Sequence, residues 1–258
     1  MKKKNLAGRI VLTIFLLLMV CGIVGAGVYL VQSFSPESTA LEIMEENEAL
    51  IKRRTGVRES LIYRTKNPVA ALIFYPGAKV PEEAYIPMMQ ALAEQHILCI
   101  IPHMPFDLAF FKPGAAENLK ELYPDIESWY IGGHSLGACM AASYVSKHTE
   151  EYDGLILLAG YSMKDLSDSG LKVLSMYGSE DEILSKERYN KYYSNLPDDT
   201  KEVVIDGGCH AYFGYYGEQK GDGTPTISHE EQMQQTVDQL LEMILPAEEA
   251  EADAADEQ

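Results

Sequence analysis

The chain has 258 residues, 47% hydrophobic and 23% charged, so it can bury a full core without a disulfide scaffold, and one main domain is expected. Its 39 acidic and 21 basic residues give a formal net charge of -18, a balance that repels nucleic acid and anionic headgroups. Of the four cysteines, Cys21 falls in an apolar segment; Cys99, Cys139 and Cys209 are an odd number, which argues against a complete disulfide framework while leaving room for one pair.

From the N-terminus, residues 10–31 form an uncharged run that is long enough, at ~1.5 Å per residue, to cross a hydrocarbon layer of roughly 30 Å. Lys2, Lys3, Lys4 and Arg9 precede it, no acidic residue occurs before Glu37, and no further basic residue occurs before Lys52. The positive flank predicts a cytoplasmic segment 1–9, a transmembrane anchor 10–31 and a main domain outside the plasma membrane. The alternative is a secretory signal cleaved near Val24-Gly25-Ala26, but the apolar run continues through Val28-Tyr29-Leu30-Val31. Residues 32–56 read as a stalk or edge helix, with Leu41, Met44, Ala49 and Ile51 among glutamates over 38–54 and Gly56 closing it.

The main domain is expected over 57–245. Ser60–Arg64 reads as a strand, and Val69–Tyr75 as a stronger one, apolar on both faces as a central parallel strand should be. A helix is predicted over 82–95, a strand over 97–101, an apolar loop from Pro102 to Phe111, and a helix over 115–122. Strands at 154–159, 173–177 and 202–205 follow the central Trp129–His134 strand. The last helix opens with Ser228 and Glu231 in the S-x-x-E capping pattern and buries Met233, Val237, Leu240, Leu241 and Ile244. Residues 246–258, with glutamates and aspartates among alanines, read as an acidic disordered tail. Strands alternating with helices predict an α/β fold with a doubly wound, mostly parallel sheet, whose ligands bind at the carboxyl ends of the strands.

The chain is organised around Gly133-His134-Ser135-Leu136-Gly137, which joins the Trp129 strand to a helix rich in small residues. A G-x-S-x-G in that context is a nucleophile elbow: the turn is too tight for bulk at the two glycines, and the serine projects above the sheet. The helix N-terminus leaves the Leu136 N–H free for an oxyanion, and the loop Pro76-Gly77-Ala78 offers a second donor, the Ala78 N–H.

A serine hydroxyl needs a base, and the base an orienting carboxylate. Of six histidines, His96, His134, His148 and His229 read as surface or capping residues, His134 pointing away from the nucleophile, and His103 lies upstream of the serine. His210 follows the last strand after Asp206-Gly207-Gly208-Cys209 and is the candidate base. Asp181, just past the 173–177 strand, is the candidate carboxylate; Glu180 and Glu182 are near alternatives, Asp165 and Asp168 distant ones. Cys139 and Cys209 read as small core residues.

Together, Phe74-Tyr75-Pro76-Gly77-Ala78-Lys79-Val80, Gly132-Gly133-His134-Ser135-Leu136-Gly137, Tyr177-Gly178-Ser179-Glu180-Asp181 and the stretch from Gly207 to Gly217 with Gly221-Asp222-Gly223-Thr224 resemble the alpha/beta-hydrolase family. The likeness is to its compact branch related to dienelactone hydrolases, in which membrane-anchored bacterial members are common, and it covers about residues 60–245. The resemblance implies a triad on Ser135, Asp181 and His210, in agreement with the reading of the residues. It departs from the dienelactone enzymes in having serine where they show a cysteine pattern.

Only 13 residues, 160–172, separate two strands where lids are usually inserted, so an open site without a sizeable lid is expected. Met104, Phe106, Phe110, Phe111, Tyr212, Phe213, Tyr215 and Tyr216 are candidates for its walls and suit an apolar acyl or aryl group. No H-E-x-x-H, Cys-x-x-Cys pair or phosphate loop is present, so no metal or cofactor is expected. The expected function is a membrane-anchored serine hydrolase of carboxylic esters, thioesters or lactones. The alternatives are a non-catalytic binding or scaffold module, and acyl transfer through the same triad.

Overall fold

The computed structural model describes residues 2–48, 50–54 and 59–245. Gly56 and the acidic tail 246–258 lie outside the described residues. The chain divides into two units, residues 1–33 and the chain from Phe34 onward. The first is a single helix, α1 (Lys2–Val31). Its segment Gly8–Val31, 24 residues long, is long and apolar enough to cross a membrane, a property that a signal sequence shares.

The second unit is built on eight strands: β1 (Ile51–Arg54), β2 (Ser60–Tyr63), β3 (Ala70–Tyr75), β4 (Ile97–Pro102), β5 (Ser128–His134), β6 (Gly154–Leu158), β7 (Lys172–Gly178) and β8 (Lys201–Ile205). They form one sheet in the order β1-β2-β4-β3-β5-β6-β7-β8. β1 and β2 pair antiparallel at one edge, and every pairing from β4 to β8 is parallel. The helices are α2 (Ser38–Glu46), α3 (Ile86–Glu94), α4 (Leu136–Val145), α5 (Lys186–Tyr193) and α6 (His229–Ile244).

β3 is buried along its whole length, and its alternation divides the core in two. Ala70, Leu72 and Phe74 belong to the layer that holds buried residues of α2, α3 and α6. Ala71, Ile73 and Tyr75 belong to the layer of α4, with Ala138, Ala141, Ala142 and Val145. After β3 the chain moves first to β4 on one side, then to β5 on the other. The reversal leaves a crevice at the carboxyl ends of β3 and β5, where such sheets hold their ligands.

Two expectations are corrected and one element is added. The helix expected to Arg54 stops at Glu46, and Ile51–Arg54 instead pairs with β2, supplying partners for backbone groups that would otherwise form an open edge. The helix expected over 115–122 is a run of turns ending in a short 3-10 segment, because Asn118 has φ 59°, which no continuous α-helix admits. α5, absent from the sequence reading, is capped by Ser185, whose hydroxyl accepts from the Arg188 N–H at 3.3 Å. The Ser228 cap of α6 forms as expected, accepting from the Glu231 N–H at 3.1 Å. No helix forms between β6 and β7.

Candidate active site

β5 ends at His134, and α4 begins at Leu136, leaving Ser135 as the entire turn. Its backbone has φ 54° and ψ −120°, a conformation that costs about 1–3 kcal/mol and persists only when its surroundings enforce it. They do so on both sides: the Ser135 N–H donates to the Leu158 carbonyl at 2.8 Å, and the Ser135 carbonyl accepts from the Cys139 N–H at 3.2 Å. Close approach explains the flanking glycines. A Cβ on Gly133 would lie 2.6 Å from the Tyr75 carbonyl oxygen, and one on Gly137 would overlap the carbonyl oxygens of Tyr75 and Pro76. The first turn of α4 is thus pressed against the end of β3, bringing the N-terminus that carries the Leu136 N–H beside the Pro76–Ala78 loop. As the first residue of α4, Leu136 has no intrahelical acceptor for its N–H. Among the described residues no acceptor pairs with the Ala78 N–H.

Asp181 and His210, 29 positions apart, meet at the ends of β7 and β8. The His210 Nδ1 lies 2.8 Å from the Asp181 Oδ2, and both side chains are buried. The other carboxylate oxygen, Oδ1, accepts from the Ile183 N–H at 2.9 Å and the Leu184 N–H at 2.7 Å, so the carboxylate cannot rotate without breaking two bonds. The alternatives are placed elsewhere: Glu180 accepts from the Ser179 hydroxyl, and Asp165 from Ser167. The His210 ring packs against that of His134, with centroids 4.7 Å apart, and Ser135 follows His134 directly. Among the described residues no hydrogen bond joins the Ser135 hydroxyl to His210. Such bonds are often loose without substrate and tighten when it binds.

His134 is not a surface residue. It is 1% exposed and packs among His210, Phe213 and Tyr216. The Tyr85 hydroxyl accepts from the Gly77 N–H at 2.9 Å and lies 3.0 Å from the His134 Nδ1, within hydrogen-bond distance. Burial, then the neighbouring His210, holds the His134 pKa well below the ordinary imidazole value, so the ring is neutral. Tyr85 and His134 therefore tie the loop after β3 to the base of the His210 ring. Tyr130 and His134 lie on the same face of β5, so the strand's period of two could have shown which layer His134 enters.

Two further side chains fix the His210 loop. Gln232 of α6 is fully buried and brackets Cys209, accepting from its N–H at 2.9 Å and donating to its carbonyl at 2.8 Å. Asp222 accepts from the Ala211 N–H at 2.8 Å through Oδ2, and through Oδ1 from the Gly223 N–H at 2.9 Å and the Glu182 N–H at 3.4 Å. It thus fastens the segment after His210 to the segment after Asp181. Neither role leaves a periodic trace in the sequence.

The expected aromatic walls separate into two groups. Phe106 and Phe110 are exposed, and Tyr212 is half-buried, stacked on His229 with centroids 4.5 Å apart. Met104 and Phe213 are core residues: Met104 belongs to the α4 layer, and Phe213 is turned inward by the 3-10 segment Ala211–Phe213 to meet His134. Tyr215 and Tyr216 are buried as well. Cys99, Cys139 and Cys209 are all unpaired, and burial raises each thiol, that of Cys209 to about 11. A polar cavity of about 580 Å³, lined by Ser128, Asp153, Asp168 and Lys172 among others, opens at the amino ends of the strands, on the edge of the sheet opposite Ser135.

A doubly wound sheet with a strained serine between β5 and α4, and a carboxylate–histidine pair at the next two strand ends, defines a class of hydrolase scaffold. Residues 71–234 match the alpha/beta hydrolase family, and the chain belongs to it. Solved structures of the same fold include Est1E from Butyrivibrio proteoclasticus, 15% identical over 75% of this chain and 98% of that one, with a TM-score of 0.55. Thermogutta terrifontis esterase 2, phosphoramylated by tabun, is 12% identical over 76% and 96%, with a TM-score of 0.52. An alpha/beta hydrolase enzyme from the sediment metagenome of the Mar Chica lagoon, Morocco, is 16% identical over 74% and 97%, with a TM-score of 0.55. None of the curated proteins matches the chain in sequence.

Proposed function

We propose that the protein is a membrane-anchored serine hydrolase of carboxylic esters, held by residues 10–31 with its catalytic domain outside the plasma membrane. Ser135 is the nucleophile, His210 the base and Asp181 the carboxylate that orients it. The His210 Nε2 takes the hydroxyl proton as the Ser135 oxygen attacks the ester carbonyl. The Leu136 and Ala78 N–H groups receive the negative charge that develops on the carbonyl oxygen. The protonated His210, stabilised by Asp181, then gives the proton to the departing alkoxide, leaving an acyl-Ser135 ester. Water attacks that ester by the same route, releasing the acid and restoring the serine. The exposed Phe106 and Phe110 and the half-buried Tyr212 are the aromatics available to an apolar acyl or aryl group.

The observation that carries this reading is the buried Asp181–His210 pair, packed against the residue that precedes a strained serine. The esterase among the structural neighbours that bears a phosphorus adduct is consistent with it. The test is labelling of the full chain with a fluorophosphonate, followed by hydrolysis of p-nitrophenyl esters of graded chain length. Wild type is expected to label at Ser135 and to hydrolyse the esters, and Ser135→Ala to do neither. Failure of the wild type to label would favour a non-catalytic module. Analysis of products with an added alcohol separates hydrolysis from acyl transfer.

A further inference from the structure

Three phenylalanine rings stand clear of the domain on the loop after β4. Phe106, Phe110 and Phe111 are 50%, 66% and 49% exposed. Phe111 meets each of the other two edge-on, with centroids 5.7 Å apart. A contiguous apolar cluster left in water marks contact with another phase or molecule. The backbone beneath it is strained, with φ 57° at Phe106 and 53° at Asp107, a region that a bulky side chain rarely enters. Lys79 holds it there. Its Nζ donates to the Phe106 carbonyl at 3.1 Å, and its N–H to the Asp107 carbonyl at 2.6 Å.

Lys79 is also where the chain enters the domain. The Phe34 N–H donates to the Lys79 carbonyl at 2.8 Å. Only Gln32 and Ser33 separate Phe34 from Val31, the last residue of the apolar helix. Three peptide steps span at most about 11 Å. Whatever direction that helix takes, its outer end is within this reach of Phe34, and the aromatic loop is fastened through Lys79 to the same point. Lys112, directly after the rings, supplies a cation suited to the headgroup level.

We propose that the Phe106–Phe111 loop is a membrane-docking surface, its three rings entering the interfacial layer of the bilayer that holds residues 10–31. The proposal rests on the anchor reading and adds a substrate class to it. The 3-10 turn Ala109–Phe111 neighbours α4, which begins at the residue after Ser135. With that loop docked, Ser135 belongs to a domain held at the bilayer, which favours esters dissolved in the membrane as substrates.

The chain contains one tryptophan, Trp129, which is buried and supplies a constant background. Phe110→Trp and Phe111→Trp each add an indole at the proposed contact, and Val204→Trp adds one at an exposed position on the outer strand β8. Each full-length variant is reconstituted in phosphatidylcholine vesicles with and without brominated acyl chains, and flotation is measured on the same samples. The added emission at 110 and 111 is expected to shift to the blue and to fall about twofold in brominated lipid, and that at 204 to do neither. Protein that floats with the vesicles while the indoles at 110 and 111 remain water-exposed and unquenched overturns the docking and leaves the anchor standing. Equal quenching at 204 also overturns it, as non-specific adsorption. Protein that does not float overturns the anchor and the docking with it.

Discussion

Replacing Asp181 with asparagine separates the chemistry of the site from its stability. The Asp181 Oδ1 receives two backbone N–H groups, from Ile183 at 2.9 Å and Leu184 at 2.7 Å, and Oδ2 receives the His210 Nδ1 at 2.8 Å. Asparagine has a single oxygen. The two backbone donors are fixed in one turn, so that oxygen stays with them and the amide NH₂ faces His210. A donor opposite Nδ1 makes Nδ1 an acceptor and moves the ring proton to Nε2, the atom that must take the Ser135 proton. The expected loss of ester hydrolysis is about 10⁴-fold, the size found when an aspartate in this role becomes asparagine, or ~5.4 kcal/mol of barrier. Stability falls much less, by about 1–3 kcal/mol, because both backbone donors keep their acceptor and only one charge-assisted bond is weakened. Initial rates on a p-nitrophenyl ester, with urea midpoints on the same preparations, measure the two effects. A folded Asp181→Asn variant within about tenfold of the wild-type rate would refute the tautomer argument and the assigned role of Asp181.

Asp222→Asn must turn its NH₂ toward either the Ala211 or the Gly223 N–H, so one of two loop contacts becomes a clash between donors; a fall of about 1–3 kcal/mol in urea unfolding is expected, with slower fluorophosphonate labelling. Unchanged labelling would remove Asp222 from the positioning of His210. Gly137→Ala drives a methyl into the carbonyl oxygens of Tyr75 and Pro76, both backbone atoms, and should cost about 3 kcal/mol or more and abolish labelling, as a thermal melt and a labelling gel will show. His229 lies between the rings of Tyr212 and Tyr215, at 4.5 and 3.8 Å, and burial holds its pKa at about 4. An unfolded histidine titrates near 6.5, so its share of stability is complete above that pH and is lost as pH falls toward 4, amounting to about 3 kcal/mol. His229→Gln should therefore flatten part of the decline between pH 7 and 4 in urea midpoints; an identical decline would place the acid sensitivity elsewhere, with His134 the next candidate.

Residues whose roles follow from local rules were legible in advance. The β5–Ser135–α4 turn was readable because only glycine fits two residues either side of so tight a corner, and the all-apolar run of β3 because a strand covered on both faces has no polar side to show. Ser228 and Glu231 announced the start of α6 for the same kind of reason. The failures share the opposite property. Ile51–Arg54 became a strand because β2 presents it with an edge to pair, a fact absent from the segment itself. Met104 and Phe213 looked like pocket walls because composition does not tell an aromatic turned inward from one turned outward. Tyr85 and Gln232 carried no signal, since each acts by hydrogen-bonding a backbone group that the fold delivers from elsewhere, and Asp222 stood only within the motif that carries the resemblance, with no role attached to it.

The division follows the range of the forces involved. Backbone sterics, capping and the two-residue period of a strand act over a few neighbours, so the amino-acid order alone determined the parallel sheet, the sharp turn at Ser135 and the candidates for base and carboxylate. Which carboxylate meets His210, how the neutral His134 comes to lie beneath its ring, and which phenylalanines stay in water depend on contacts between segments tens of residues apart. Only the packed chain decides these, because a buried hydrogen bond or ring contact exists once both partners have been brought together and water has been excluded from between them.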